Sequence, residues 1–385
     1  MSSWEYLGDL MSNLFKRSSR FSRVAQLLSV SLIVAFLSAC GTGDSRRFVI
    51  GGVLPLTGDA GTFGRNAARG ATLAVRQANE SHLLPGLTVD FTSEDSRGTA
   101  AGAVLAARKL LDFSHAKVLI GDVTSAGTQA LAPIITERRI PLISPAASDP
   151  KLSNCSPFFA RVWPSDVYEA QVTAGYARDQ RFKKIAVVYA NTDYGLAMVD
   201  QFKKVLSGVA IDPLIPTDRE SLDYRPVLQR IKLARPDALF FVLYPEDAVR
   251  LLSQAAEIGL KLPMLATATF EDPKLLSAPG ADRVVFASPV PPDNTNPERA
   301  HFLQGYKTAF GEDAGVLSDT GYDAAMILIK SWAAAGPKGA DAVAQYIRSL
   351  QNYAVVSGEM TFDKQGDVQK PYRLRTVKGG KFVWL

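Results

Sequence analysis

Short apolar or β-branched runs alternate with amphipathic segments along the chain after residue 47. The first run, residues 48–54, is followed by residues 65–81, in which apolar side chains recur at helical spacing. After a loop that ends in Trp163-Pro164 the same order begins again, with a helix expected at residues 167–180. Strands that alternate with helices pair in parallel through crossover connections. The order therefore predicts an α/β fold of two doubly wound parallel-sheet lobes joined by a hinge.

A proline-rich stretch, residues 289–294, interrupts the alternation and has the composition of a linker. Helices are expected to resume after it, and short strands to close the chain. We therefore expect one lobe from residues 47–164 with 292–370 and a second lobe from residues 165–291 with 371–385.

The first 40 residues follow the order of a bacterial export signal. A cluster of Lys and Arg side chains precedes an apolar stretch at residues 24–37, and Leu37-Ser38-Ala39-Cys40 follows. That last run resembles a lipobox, which implies a signal peptide at residues 1–39, a lipid-bearing Cys40 and a tether at residues 40–46. The chain would then work outside the cytoplasm, lipid-anchored to the periplasmic face of a bacterial membrane. A short membrane anchor or a buried helix is the alternative, although the stretch is short for a span.

Charge and composition exclude several classes of protein. The formal net charge is +5 over 385 residues and is dispersed, so a nucleic-acid partner is not expected. The chain has two cysteines, Cys40 and Cys155, and three histidines. An internal disulfide, a catalytic Cys/His pair and a histidine-rich metal site are therefore not expected.

Motifs of nucleotide binding and catalysis are missing from the expected loops. The glycine-rich loop at residues 55–64 has neither the lysine of a P-loop nor a G-x-G-x-x-G pattern, so no cofactor is expected. Asp319-Thr320-Gly321 resembles the aspartic-protease triplet but occurs once, without a partner carboxylate. Val123 stands where a nucleophile elbow around Ser125 needs glycine. An enzyme is therefore not expected.

Polar loops follow the expected strands of both lobes, where parallel α/β sheets bind ligands. In the first lobe, residues 122–128 and 144–148 present Ser and Thr hydroxyls beside helix starts. Such groups can hold a carboxylate without an arginine, although each alone could simply cap a helix. In the second lobe, Tyr194 and Tyr244 stand where a strand gives way to a helix. Each could pack in the core or form a wall of the ligand site.

Several stretches together resemble the leucine/isoleucine/valine-binding type of periplasmic solute-binding protein. They are residues 48–58, 140–148, 189–195 and 321–325. The resemblance implies a monomeric two-lobed clamp that closes on a small-molecule solute and delivers it to an ABC permease. It also implies a set of ligand-binding residues: Phe63, where the branched-chain binders have Tyr, together with Ser125, Ala146, Ala147, Ser148, Tyr194 and Tyr244.

A second position also departs from the family pattern. The acidic residue that pairs with the ammonium group of the ligand falls here near Ala268. A buried ammonium without a counter-ion is costly, so either another acid replaces it or the ligand has no α-amine. Asp122, Asp319 and Glu271 are the candidate replacements, and we include Asp319 among the expected ligand-binding residues.

The sequence thus predicts an extracytoplasmic solute-binding lipoprotein of an ABC importer. Its ligand would be a small carboxylate-bearing solute, an amino acid, an amide or a related acid. The alternative is a regulatory or envelope-assembly lipoprotein that uses the same clamp to bind a protein partner.

Overall fold

The computed structural model describes residues 47–218, 222–291 and 296–385. The predicted signal peptide, the tether and Cys40 lie outside these residues, as does the second half of the predicted linker. No helix in the described ranges is long and apolar enough to cross a membrane.

Strands and helices alternate through most of the described chain. The strands are β1 (Arg47–Leu54), β2 (Thr88–Asp95), β3 (Val118–Gly121), β4 (Leu142–Ser144), β5 (Phe159–Arg161), β6 (Lys184–Ala190), β7 (Ala210–Thr217), β8 (Ala238–Val242), β9 (Met264–Ala266), β10 (Val284–Pro289), β11 (Tyr353–Val355), β12 (Gly358–Phe362), β13 (Val368–Gln369), β14 (Tyr372–Lys378) and β15 (Lys381–Trp384). The helices are α1 (Gly61–Glu80), α2 (Ala100–Asp112), α3 (Ser125–Arg138), α4 (Asp166–Asp179), α5 (Asp193–Val205), α6 (Arg225–Ala234), α7 (Pro245–Glu257), α8 (Pro297–Phe310), α9 (Ser318–Ala335) and α10 (Ala340–Arg348).

The first sheet has the strand order β2-β1-β3-β4-β5, in which β1, β3, β4 and β5 pair in parallel. Strands β1, β3 and β4 are apolar along most of their length, because helices cover the sheet and bury both faces, whereas the edge strand β2 is largely polar. The small antiparallel sheet β11-β12-β13 contributes Val355, Met360 and Phe362 to the same core.

The second sheet has the order β15-β14-β10-β9-β8-β6-β7. The strands β6 to β10 pair in parallel, whereas β14 and β15 add to the β10 edge in antiparallel orientation. The last strands of the chain thus return to the sheet of the second lobe. The predicted α/β fold with two lobes is confirmed, while the exact lobe boundaries at residues 164, 291 and 370 remain a prediction.

Helices α1 and α9 pack closely on the first lobe, and glycines permit the approach. A Cβ atom on Gly70 would lie 1.9 Å from the carbonyl oxygen of Ser318, and one on Gly321 would lie 2.3 Å from that of Ala67. These positions have no room for a side chain, so the contact between the two helices depends on glycine.

The structure differs locally from the sequence prediction. The glycine-rich stretch was expected to be a loop up to residue 64, but α1 begins at Gly61, because Gly64 allows its first turn to lie against the carbonyl oxygen of Pro55. Strand β10 was not predicted, because its short apolar run leads directly into the proline-rich stretch and ends at Pro289. Its burial comes from pairing with β9 and β14.

Candidate functional site

A cleft lies where the carboxyl ends of the parallel strands of both sheets meet. Its empty volume, open mouth included, is about 530 Å³. The first-lobe loops after β3 and β4 form one side, and second-lobe residues that follow β6, β8 and β9 form the other. The lining residues are Phe63, Val123, Thr124, Ser125, Ala146, Ser148, Trp163, Glu169, Tyr194, Tyr244, Ala268, Thr269, Val316 and Leu317.

The start of helix α3 brings hydroxyl groups to the first-lobe side of the cleft. Thr124 is the N-cap, and its Oγ1 atom accepts a hydrogen bond of 3.2 Å from the backbone N–H of Gly127. Asp122 Oδ1 in turn accepts a bond of 2.7 Å from the backbone N–H of Thr124. Ser125 follows as the first helical residue, and its Oγ accepts a bond of 3.3 Å from the N–H of Asp149. The loop is therefore fixed, and the positive end of the helix dipole points to this side of the cleft.

Ser144 determines how the next loop faces the cleft. Its Oγ donates a hydrogen bond of 2.7 Å to the carbonyl oxygen of Asp122 and accepts one of 2.9 Å from the N–H of Ala147. Ala146 and Ser148 line the cleft, whereas Ala147 is buried in the core of the first lobe and does not line it. The structure thus places two of the three predicted residues of this loop in the cleft.

Two tyrosines form the second-lobe wall. Tyr194 lies in the first turn of α5, Tyr244 precedes α7, and their ring centroids are 6.0 Å apart. The Tyr194 hydroxyl donates a hydrogen bond of 2.8 Å to Oγ1 of Thr267, which in turn bonds the Thr269 hydroxyl. Burial raises the pKa of Tyr194 well above its ordinary value. The wall is therefore neutral, aromatic and held by a hydroxyl chain.

The sequence interpretation missed Trp163 and Glu169. Trp163 precedes α4 at the crossing between the lobes, and the pair Trp163-Pro164 marks that crossing in the sequence. Glu169 lies in the first turn of α4 and is buried, with its Oε1 atom 2.7 Å from the backbone nitrogen of Ala268. Burial, together with the nearby Asp166, raises the pKa of Glu169 well above its ordinary value.

The three candidate replacement acids lie elsewhere. Asp122 is fully buried behind Thr124, and burial raises its pKa to about 6. Asp319 forms an ion pair of 3.3 Å with Arg299, and Glu271 forms one with Arg375. Both acids line an adjoining cavity, whose empty volume, open mouth included, is about 880 Å³ and which shares Trp163, Val316 and Leu317 with the cleft. None of the three lines the cleft itself.

The described part of the chain has neither a metal-ion site nor an activated thiol. No group of three His, Cys, Asp or Glu side chains there could hold a metal ion. Cys155 is a free thiol whose pKa burial raises to about 11, so the thiolate form is disfavoured.

Comparison with known proteins identifies the fold and the family. The family model described as "Periplasmic binding protein" matches residues 48–381. The Leu/Ile/Val-binding protein homolog 1 of Brucella melitensis is 24% identical over 381 residues, which cover 96% of this chain and 99% of that protein.

Solved structures agree with this match. The leucine binding protein LivK of Thermotoga maritima superposes with a TM-score of 0.81 at 25% identity, covering 88% of this chain and 97% of that one. An ABC transporter solute-binding protein of R. palustris in complex with benzoate gives a TM-score of 0.80 at 23% identity, covering 88% and 95%. Proteins of this family bind small-molecule solutes and work with ABC transporter permeases. The chain therefore belongs to the periplasmic binding protein family, and within it to the type of the Leu/Ile/Val-binding proteins.

Proposed function

We propose that the chain is the extracytoplasmic solute-binding lipoprotein of an ABC importer and that its cleft holds a small solute through a carboxylate group. One observation carries this proposal. Ser125 and Ser148 from one lobe and Tyr194 and Tyr244 from the other line the same cleft. A solute that touches both sets stabilises the closed form by as much as it binds that form better than the open one.

The chemistry of the first-lobe side favours an anionic group. The hydroxyls of Ser125 and Ser148 can donate hydrogen bonds, and the start of α3 adds backbone N–H groups and a favourable dipole. None of the described lining residues is Lys or Arg. A carboxylate would therefore be bound by neutral donors, as at other helix N-termini.

The ligands of the structural neighbours share a carboxylate group. The T. maritima neighbour is a leucine binding protein, and the R. palustris neighbour holds benzoate. Leucine carries an amine and benzoate does not, while both carry a carboxylate. The carboxylate is thus the part of the solute that this comparison supports.

A thermal-shift screen of the purified protein tests the proposal. The panel contains α-amino acids, their amides, and amine-free aliphatic and aromatic carboxylates. A ligand at 100 times its Kd adds about 2.7 kcal/mol of stability, which raises Tm by a few degrees. Ser125→Ala and Ser148→Ala should each reduce the shift by about half, whereas Ser207→Ala, an exposed serine outside the cleft, should retain it in full.

A panel without any hit would reject the solute-binding proposal and favour the alternative, a lipoprotein that binds a protein partner. The anchor is tested separately. Cys40→Ser should move the protein from the membrane fraction to the soluble fraction, because the acyl chains are attached at that residue.

A further inference from the structure

An acidic pair lies at the second-lobe side of the cleft. Asp166 and Glu169 occupy the first turn of α4, three residues apart and therefore on one face of the helix. Both are buried, and Glu169 lines the cleft directly. The proposed function makes no use of either carboxyl group.

The two carboxyl groups have few polar partners. Glu169 Oε1 accepts one hydrogen bond, from the N–H of Ala268. Neither oxygen of Asp166 accepts a hydrogen bond of good geometry, although the nearby Ser148 hydroxyl favours the charged form of Asp166. Within residues 47–218, 222–291 and 296–385, no Lys, Arg or His forms an ion pair with either acid. Arg161, whose charge acts on Asp166, is already bound to Asp367 at 2.8 Å.

Besides Arg161, the titratable groups that face the pair from other elements are a third acid, Asp149, and two phenols. Tyr194 lies on α5 and Tyr372 on β14. Burial raises the pKa of each phenol well above its ordinary value, and the negative charges of both acids raise it further. Two buried carboxylates side by side are costly to ionise together when the nearby cation, Arg161, is already paired with Asp367. At least one of the two carboxyl groups is therefore protonated in the free protein, or a cation of the ligand binds to the pair.

We propose that Glu169 is the subsite for a positively charged amine of the solute, and that the Glu169 carboxyl group loses its proton to solvent when that amine binds. The inference rests on the proposed function, since the carboxylate of the same solute would occupy the first-lobe hydroxyls. The solute is then a zwitterion, with its anionic end at Ser125 and Ser148 and its cationic end at Glu169.

Calorimetric titration of the purified full-length protein with matched probes tests this inference. The probes are L-leucine and L-phenylalanine, each compared with the amine-free acid of the same skeleton, 4-methylpentanoate and 3-phenylpropanoate. At pH 7, in two buffers of different ionisation enthalpy, we expect at least one amino acid to bind about tenfold or more tightly than its amine-free acid. We also expect its binding to release up to about one proton.

Glu169→Gln provides the variant arm, because glutamine retains an acceptor for the Ala268 N–H but has no charge. It should lose about tenfold or more in amino-acid affinity, should no longer release the proton, and should leave the affinity for the amine-free acid within about threefold. Glu271→Gln is the matched control, since Glu271 lies outside the cleft in an ion pair, and it should bind the amino acid like the wild type.

The outcomes separate the two proposals. Wild-type protein that binds the amine-free acids as tightly as the amino acids, with no proton release, overturns the Glu169 subsite and leaves the carboxylate site standing. Retained amino-acid affinity in Glu169→Gln does the same. Wild-type protein that binds none of the four probes, while the wider panel also gives no hit, rejects the proposed function and the subsite with it.

Discussion

The Oε1 atom of Glu169 accepts a 2.7 Å hydrogen bond from the backbone N–H of Ala268. Glu169 belongs to α4, whereas Ala268 begins a short 3₁₀ helix after β9, 99 residues further along the chain. The methyl side chain at residue 268 offers no charge. A carboxyl group nonetheless lies at this point of the cleft, because α4 supplies it from a different element.

Asp166→Asn should change the pH dependence of stability. Burial raises the pKa of Asp166 from 3.8 to about 7, so between these values the folded protein binds more protons than the unfolded chain. The free energy of unfolding of the wild type therefore falls as pH rises from about 4 to 7. The asparagine variant lacks this loss, which is on the order of 3 kcal/mol.

Urea denaturation of both proteins at several pH values between 4 and 7 measures this difference. The variant should gain stability relative to the wild type as pH rises. Two curves that stay parallel across the range would show that Asp166 is ionised in the folded state at low pH.

Gly70→Ala and Gly321→Ala should each destabilise the first lobe by about 1–3 kcal/mol or more, because a methyl group at either position meets backbone atoms of the facing helix. Gly175→Ala on α4 is the matched control. Its Cβ would lie 3.9 Å from the nearest side-chain atom, so the variant should be neutral or gain up to about 1 kcal/mol from helix propensity. Thermal or urea unfolding distinguishes these cases, and equal effects at all three positions would contradict the described packing.

Arg161→Leu should destabilise the protein by about 3–5 kcal/mol, because it leaves Asp367 without its buried partner. Arg161 also donates hydrogen bonds to the carbonyl oxygens of Ala147 and Asp149, which flank Ser148. We therefore expect weaker binding of any ligand found in the panel.

The double variant Arg161→Leu/Asp367→Leu should recover part of the lost stability, since it removes both charges together. Denaturation of the four proteins in this cycle gives the coupling energy. Additive effects of the two substitutions would mean that the ion pair contributes nothing.

Tyr194→Phe and Tyr194→Ala separate the two roles of this side chain. Loss of the hydroxyl removes the bond to Thr267 and should cost about 1 kcal/mol of stability, with ligand affinity within about threefold of the wild type. Loss of the ring removes part of the cleft wall and should weaken binding about tenfold or more. Calorimetry with a panel ligand compares the affinities of the two variants with that of the wild type. An alanine variant that binds like the wild type would exclude the ring from the site.

Much of the cleft was predictable because its residues follow strand ends. Phe63, Ser125, Ala146, Ser148, Tyr194 and Tyr244 all line it, as the loop rule for parallel sheets and the family resemblance indicate. Glu169 was not predictable in this way, because it lies within a helix and its place in the cleft depends on the distant contact with Ala268. Ala147 and Asp319 do not line the cleft, since hydrogen bonds with Ser144 and an ion pair with Arg299 hold them elsewhere.

The central claim is that the hydroxyls of Ser125 and Ser148 hold the carboxylate of a small solute. Isothermal titration of the best panel ligand into wild-type protein and the Ser125→Ala/Ser148→Ala double variant tests it most directly, with the methyl ester of the ligand as the probe for its charge. We expect the acid to bind the wild type, the double variant to lose about 100-fold in affinity, and the ester to bind weakly to both. A double variant that binds the acid as tightly as the wild type would contradict the claim.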